Sequence, residues 1–183
     1  AGAIDNLYLG KYYVKEITPP EGYLADETEH DVVCGYEGDL IPEVVRNTTS
    51  KEQVIKQPFQ LIKVSDNGDD TEAALLKGAG FSAYLKSSLK KNTDGTYDFK
   101  NTEPVVIGEN NGKSIFTDEK GHAVSIPLPY GTYIVLETKT PHNMETVKPF
   151  EVKIDKNNPS TPQTWRVFID REFRAKLRVV KKD

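Results

Sequence analysis

Side chains that could react with one another stand at inward positions of several strand-like segments. Two glutamates close a repeated phrase. Gly10-Lys11-Tyr12-Tyr13-Val14-Lys15-Glu16, followed by Pro20, and Gly131-Thr132-Tyr133-Ile134-Val135-Leu136-Glu137, followed by Pro141, both read Gly-x-Tyr-x-Val-x-Glu-x-x-x-Pro. Side chains alternate faces along an extended strand, so each glutamate shares the face its tyrosine and valine would bury. Lys63 shares a face with Phe59 and Leu61, and Asp170 with Phe168. In the first repeat Asn47 shares the face of Val45. A charged group aimed at a core is costly unless something pairs with it.

A lysine, a glutamate and an aspartate or asparagine turned into one core suit an amide cross-link between side chains. Burial favours the neutral, nucleophilic form of an amine and the protonated form of a carboxyl. Glu137 could then hydrogen-bond the oxygen of the attacked group and carry the amine's proton away. Attack on Asp170 releases water; the matching attack on Asn47 releases ammonia. Two alternatives stay open at this point: a strand lysine whose stem packs while its ammonium reaches water, and a buried Lys63–Glu137 ion pair without covalent chemistry.

The elements that must position these groups are nearly all strands. Phe59–Lys63, Phe81–Leu85, Ala123–Leu128, Pro149–Ile154 and Trp165–Asp170 carry strand patterns. Turn clusters separate them at Asp66–Asp70, Asp94-Gly95, Asn110–Gly112, Asp118–Gly121 and Asn157–Ser160. No helical period is sustained, and Thr71–Lys77 is expected to make at most a short turn. Many short strands at regular spacing predict an all-β, Ig-like sandwich.

The repeat sets the expected organisation. Residues 58–174 form one complete module, and residues 1–57 hold the latter half of an equivalent module plus a linker. Residues 175–183 begin a further module, because Leu177-Arg178-Val179-Val180-Lys181 echoes Phe59-Gln60-Leu61-Ile62-Lys63. On this reading the first half lacks a lysine strand of its own. Whether missing sequence or another chain completes it stays open.

Composition narrows the function classes. The 183 residues are 37% hydrophobic and 28% charged with a net charge of −4. No basic excess is available to neutralise phosphates, which argues against nucleic acid as a partner. No stretch is apolar and long enough to insert in a membrane, and no signal peptide is recognised at Ala1, so the chain reads as a mature fragment. The single cysteine, Cys34, leaves no intrachain disulfide. The Asp66–Asp70 cluster lacks EF-hand spacing, and His30, His122 and His142 have no metal-ligand spacing, so no metal or cofactor is expected. No Ser-His-Asp or Gly-x-Ser-x-Gly pattern marks a turnover enzyme. Cys34 reads as a small buried residue rather than a thioester former, and Trp165 and the tyrosines as packing residues rather than a sugar site.

The chain resembles the CnaB-type (SpaA-like, prealbumin-like) repeats of Gram-positive surface adhesins and pilins. The resemblance rests on Phe59–Asp66, on Leu76-Lys77-Gly78-Ala79-Gly80-Phe81, and on the glutamate box from Tyr133 to Pro141. Its counterpart, Tyr12 to Tyr23 with Pro19-Pro20-Glu21-Gly22-Tyr23, matches better still. What the resemblance implies is a prealbumin-like sandwich in tandem that forms spontaneous intramolecular isopeptide bonds. It makes Lys63 the nucleophile, Glu137 the catalyst and Asp170 the acceptor, where Asn is the commoner acceptor in the family. Glu16 and Asn47 are the equivalents in the half-module, and Lys181 the lysine of the next. The implied role is that of a stalk segment of a cell-wall-anchored surface protein, outside the cell. Its partners would be neighbouring modules, with a host matrix protein or glycan bound through a distal domain. A ligand-binding adhesin module, marked by an exposed apolar patch across Lys86–Lys100, and a pilus subunit are the alternatives.

Overall fold

A computed structural model describes residues 2–66, 74–179 and 181, and the chain divides into two compact units, residues 1–54 and 55–183. The first unit contains β1 (Gly10–Val14), β2 (Tyr23–Leu24), β3 (His30–Cys34) and β4 (Gln53–Val54). β1 pairs antiparallel with β3, and β2 with β4.

The second unit contains β5 (Lys56–Gln57), β6 (Gln60–Asp66), β7 (Ala74–Leu75), β8 (Gly80–Leu85) and β9 (Ile115–Phe116). These are followed by β10 (His122–Val124), β11 (Leu128–Pro129), β12 (Gly131–Lys139), β13 (Phe150–Ile154) and β14 (Arg166–Arg171). One sheet runs β10-β6-β14, with β7 also on β6; the other runs β13-β12-β8-β9, and β5 pairs β11. β14 lies parallel to β6, so the earliest long strand of the unit and its last strand are neighbours.

Alternation decides what faces inward. Along β6 Leu61, Lys63 and Ser65 are buried; along β14 Phe168 is half-buried and Asp170 buried between exposed Val167, Ile169 and Arg171. Tyr133, Val135 and Glu137 of β12 are buried opposite them. Phe59, just before β6, and Leu61 and Ala123 from the first sheet join Phe81, Ala83, Val135, Val152 and Ile154 from the second in one core. Burying each large side chain contributes about 1.5–3 kcal/mol relative to exposure.

β12 is covered on its other face as well. Tyr84, Ile134 and Leu136 pack under Leu89, Tyr97 and Phe99, with the Tyr84 and Phe99 ring centroids 5.0 Å apart. The apolar side chains of the segment after β8 are thus half-buried or buried against its own sheet. No exposed aromatic patch stands across Lys86–Lys100.

Local differences from the sequence expectation have local causes. The strand expected over Ala123–Leu128 breaks into β10 and β11, because Pro127 carries no N–H for a ladder. Between them the Ser125 N–H bonds Phe59 O, and Ile126 N–H turns to Ile107 O. The described part of Thr71–Lys77 includes β7 instead of a helical turn, since Val64 and Ser65 offer a partner edge. Residues 67–70 of the acidic cluster lie outside the described residues.

The turn before β10 sits against the lysine. Gly121 has φ +65°, its carbonyl accepts the Lys63 N–H at 2.8 Å, and a Cβ there would lie 2.3 Å from Lys63 O. Neither the conformation nor the space tolerates a side chain. Gly121→Ala is therefore expected to destabilise the unit by about 1–3 kcal/mol. Urea unfolding checks this, and an unchanged midpoint would contradict the packing described.

Candidate functional site

The site begins with β6, whose alternation turns Lys63 inward until its side chain is fully buried. Lys63 Nζ lies 2.5 Å from Glu137 Oε1 on the facing sheet and 2.8 Å from Asp170 Oδ2 on the neighbouring strand. Both carboxyl groups are as buried as the lysine. The Glu137 contact is a short hydrogen bond donated by Nζ. The Asp170 contact is close without the angular alignment of one, and Oδ2 has no other hydrogen-bond partner. The Phe81 ring lies beneath the ammonium, 5.5 Å from Nζ to its centroid.

Register explains why these three meet. In the parallel pair, Lys63 stands beside Phe168 and Ser65 beside Asp170, so the aspartate enters the core two residues further along. On the opposite sheet Glu137 pairs with Phe81, and a bulge follows at once: Lys139, not Thr138, pairs with Gly80. Such bulges re-aim side chains and end pairing. The chain then loops back so that the Val147 N–H donates to Glu137 Oε2 at 2.7 Å. One carboxylate oxygen is thereby fixed by backbone, and the other is presented to the amine.

The electrostatics are those of a dry site. Burial pushes the Asp170 carboxyl above its ordinary range, although Lys63 beside it pulls the other way; Glu145 adds a smaller push upward. An uncharged acid is a far better acyl acceptor than a carboxylate, whose negative charge repels a nucleophile. The arrangement can thus hold an amine, an acid and a proton carrier in contact with no bulk water.

The other sequence-derived positions are distributed unevenly. Glu16, just beyond β1, is half-buried, and its Oε2 accepts the Asp26 N–H at 2.7 Å. Hydrogen bonds from Thr28, His30 and Ser50 hold the Asp26 carboxyl well below the usual range. Asn47 is exposed in irregular backbone, away from any described strand, and Lys181 is exposed as well. Cys34 is free and half-buried on β3. Among the described residues, no group of three or more His, Cys, Asp or Glu could hold a metal, and no helix is long and apolar enough to cross a membrane. Sequence reasoning missed Val147 and Phe81. Any residue can supply an N–H, so only the ten-residue interval shared by Glu16–Asp26 and Glu137–Val147 carries that signal.

Comparison with known proteins bears on the fold. No curated protein sequence matches the chain. Among solved structures, the Bacillus anthracis TIE protein aligns with a TM-score of 0.59 at 24% identity, covering 91% of this chain and 26% of its own. GBS52, the minor pilin of Streptococcus agalactiae, aligns with a TM-score of 0.51 at 18% identity, covering 97% and 66%. The chain therefore spans less than two thirds of each of these structures, and likenesses at this identity speak for the fold. The family model of the SpaA prealbumin-like fold domain matches residues 2–49 and 57–166, and the chain belongs to that family.

Proposed function

We propose that Lys63 and Asp170 become joined by an amide bond, with Glu137 as proton carrier, and that the product is a load-bearing stalk segment of a Gram-positive cell-surface protein. The observation that carries the reading is the buried amine held 2.5 Å from one carboxyl oxygen and 2.8 Å from another.

The step balances from the ammonium form of Lys63, the carboxylate of Glu137 and the acid of Asp170. Glu137 takes one proton from Nζ, and the freed lone pair attacks Cγ of Asp170. Nζ gives up a second proton as the Asp170 hydroxyl leaves, and water departs. Glu137 ends protonated and the site ends without charge. Fixed contact between reactants removes the entropy of encounter, and exclusion of water opposes hydrolysis. The chemistry runs once per molecule, so the protein is the product of the reaction and not a turnover enzyme.

The organisation belongs to the same proposal: residues 58–174 as a complete module, 1–57 as the latter half of another, and 175–183 as the opening of a third. In this reading the array extends a distal binding domain from the cell wall, with anchoring sequence outside the chain. Its direct partners are neighbouring modules. An exposed apolar patch across Lys86–Lys100 would favour a ligand-binding role for this segment; its aromatic rings pack on the sheet instead.

Intact-mass spectrometry of the folded protein tests the chemistry. The chain is expected one water lighter than its sequence, and Glu137→Ala is expected at full mass. Asp170→Asn should lose ammonia in place of water. A full mass for the unmutated protein would leave a buried ion pair and remove the central support of the mechanical reading.

A second test concerns charge. Lys63→Ala strands two buried carboxyls without a cation, which is expected to cost about 3–5 kcal/mol at neutral pH. Burial already raises Asp170 above 3.8, and the variant loses the lysine that opposed that rise. The folded state then binds protons more tightly than the unfolded one. Relative to the unmutated protein, the variant's loss of stability should be smallest below about pH 4 and grow as pH rises through the raised folded value. Urea titrations of both proteins across pH read this difference directly, and a deficit that grows on acidification over that range would contradict it.

A further inference from the structure

The return from β12 to β13 touches both halves of the site. Both strands belong to the facing sheet, yet the segment between them reaches the end of β14, the strand that carries Asp170. The Phe173 N–H donates to Asn143 O at 3.1 Å, Met144 and Glu172 form an antiparallel bridge, and the Glu145 N–H donates to Arg171 O at 2.9 Å. Further along the same segment, the Val147 N–H donates to Glu137 Oε2 at 2.7 Å. Residues 143–147 thus hold the backbone beside Asp170 and the carboxylate of Glu137 at once.

The segment is itself closed on β12. The Met144 N–H donates to Pro141 O at 3.3 Å, Asn143 takes φ +65° in that turn, and the Thr140 and Thr146 hydroxyl oxygens lie 2.9 Å apart. Sheet pairing alone leaves Glu137 and Asp170 loosely related, because both stand where a ladder ends. The bulge follows Glu137, and β14 stops at Arg171. Hydrogen bonds from one short piece of backbone remove that freedom. The charged groups around Asp170 are Lys63 of β6, Glu137 of β12 through that lysine, and Glu145 of this segment.

We infer that residues 143–147 are the positioning element of the cross-link, a single stretch of backbone that sets the proton carrier Glu137 against the strand bearing the acceptor. The inference rests on the proposed Lys63–Asp170 chemistry. None of these residues meets the reacting atoms; they act through Glu137 and through β14. The proposed step needs Glu137 Oε1 to take a proton from Nζ, and fixing Oε2 keeps the carboxylate turned that way. Pairing at Arg171–Phe173 keeps the end of β14 from fraying and Asp170 Oδ2 at its 2.8 Å contact with Nζ. Both effects hold reactants in a near-attack arrangement, where small displacements cost large factors in rate. The Glu145 carboxylate adds a charge that favours the acid form of Asp170.

The test follows water loss in time. The full chain is made by cell-free translation, moved into buffers across pH, and quenched at intervals in acid denaturant for intact-mass spectrometry. Replacing Val147 by its α-hydroxy acid exchanges one N–H for an ester oxygen and keeps the side chain. Water loss is then expected about tenfold slower or more. The same exchange at Phe173 removes the N–H to Asn143 O and should slow it about threefold or more. Glu145→Gln separates positioning from folding, because Glu145 is exposed and the variant keeps its backbone N–H. Without that charge Asp170 gives up its acid form at lower pH. At low salt the variant should react about twofold slower at neutral pH and recover the unmutated rate on acidification. A merely destabilised module would not recover in acid. Hydroxy-acid chains that lose water at the unmutated rate, or a pH profile unmoved by Glu145→Gln, would overturn the inference while leaving the cross-link intact. A full mass for the unmutated chain would instead sink the cross-link reading, and the inference with it.

Discussion

A lysine ammonium fully buried between two carboxyls is the constraint on which the second unit depends. In an apolar core of Phe59, Leu61, Phe81 and Val135 that charge would cost several kcal/mol without partners. Two ionised carboxylates would overcompensate it, so the balanced state retains one acid proton. Burial pushes the Asp170 carboxyl toward its protonated form. Ammonium, carboxylate and acid also happen to be the stoichiometry from which loss of water leaves no charge at all. The desolvation that makes the site expensive as an ion cluster thus favours the proposed amide.

The same cluster determines how the two sheets must align. Lys63 and Asp170 come from adjacent parallel strands and Glu137 from the facing sheet, so the contact spans the sandwich as well as the β6–β14 ladder. A slip of one residue in β14 would turn Asp170 to solvent and bring Ile169, now 65% exposed, inward. The pair thereby reports register, while the hydrophobic face supplies most of the burial. The bulge after Glu137 and the return of Val147 complete the frame by fixing the carboxylate from behind.

The inward faces were legible in the sequence because alternation is a local property. Tyr133, Val135 and Glu137, or Phe59, Leu61 and Lys63, need only be extended to be sorted correctly. Pairing was not legible, because the parallel register of β14 on β6 joins residues about a hundred positions apart and depends on the whole sandwich. The break at Pro127 had a visible cause, yet the rerouting of Ile126 to Ile107 had none in the sequence. Asn47 illustrates the limit most clearly. Its alternation with Val45 is sound as a pattern, but a strand needs a partner edge, and the segment is irregular and exposed.

The mechanical consequence follows from the parallel pair. Tension entering at the start of β6 and leaving at the end of β14 would shear the ladder between them, loading its hydrogen bonds together. An amide from Lys63 to Asp170 would carry that load directly between the two strands. The residues between them, including the whole facing sheet, would then lie outside the tensile path and keep their packing. Placement matters more than bond strength here. A link between two loops at the periphery would be equally covalent, but it would leave the β6–β14 ladder exposed to force. The inward lysine of the first long strand and the inward acid of the last are where a single bond bypasses the most structure.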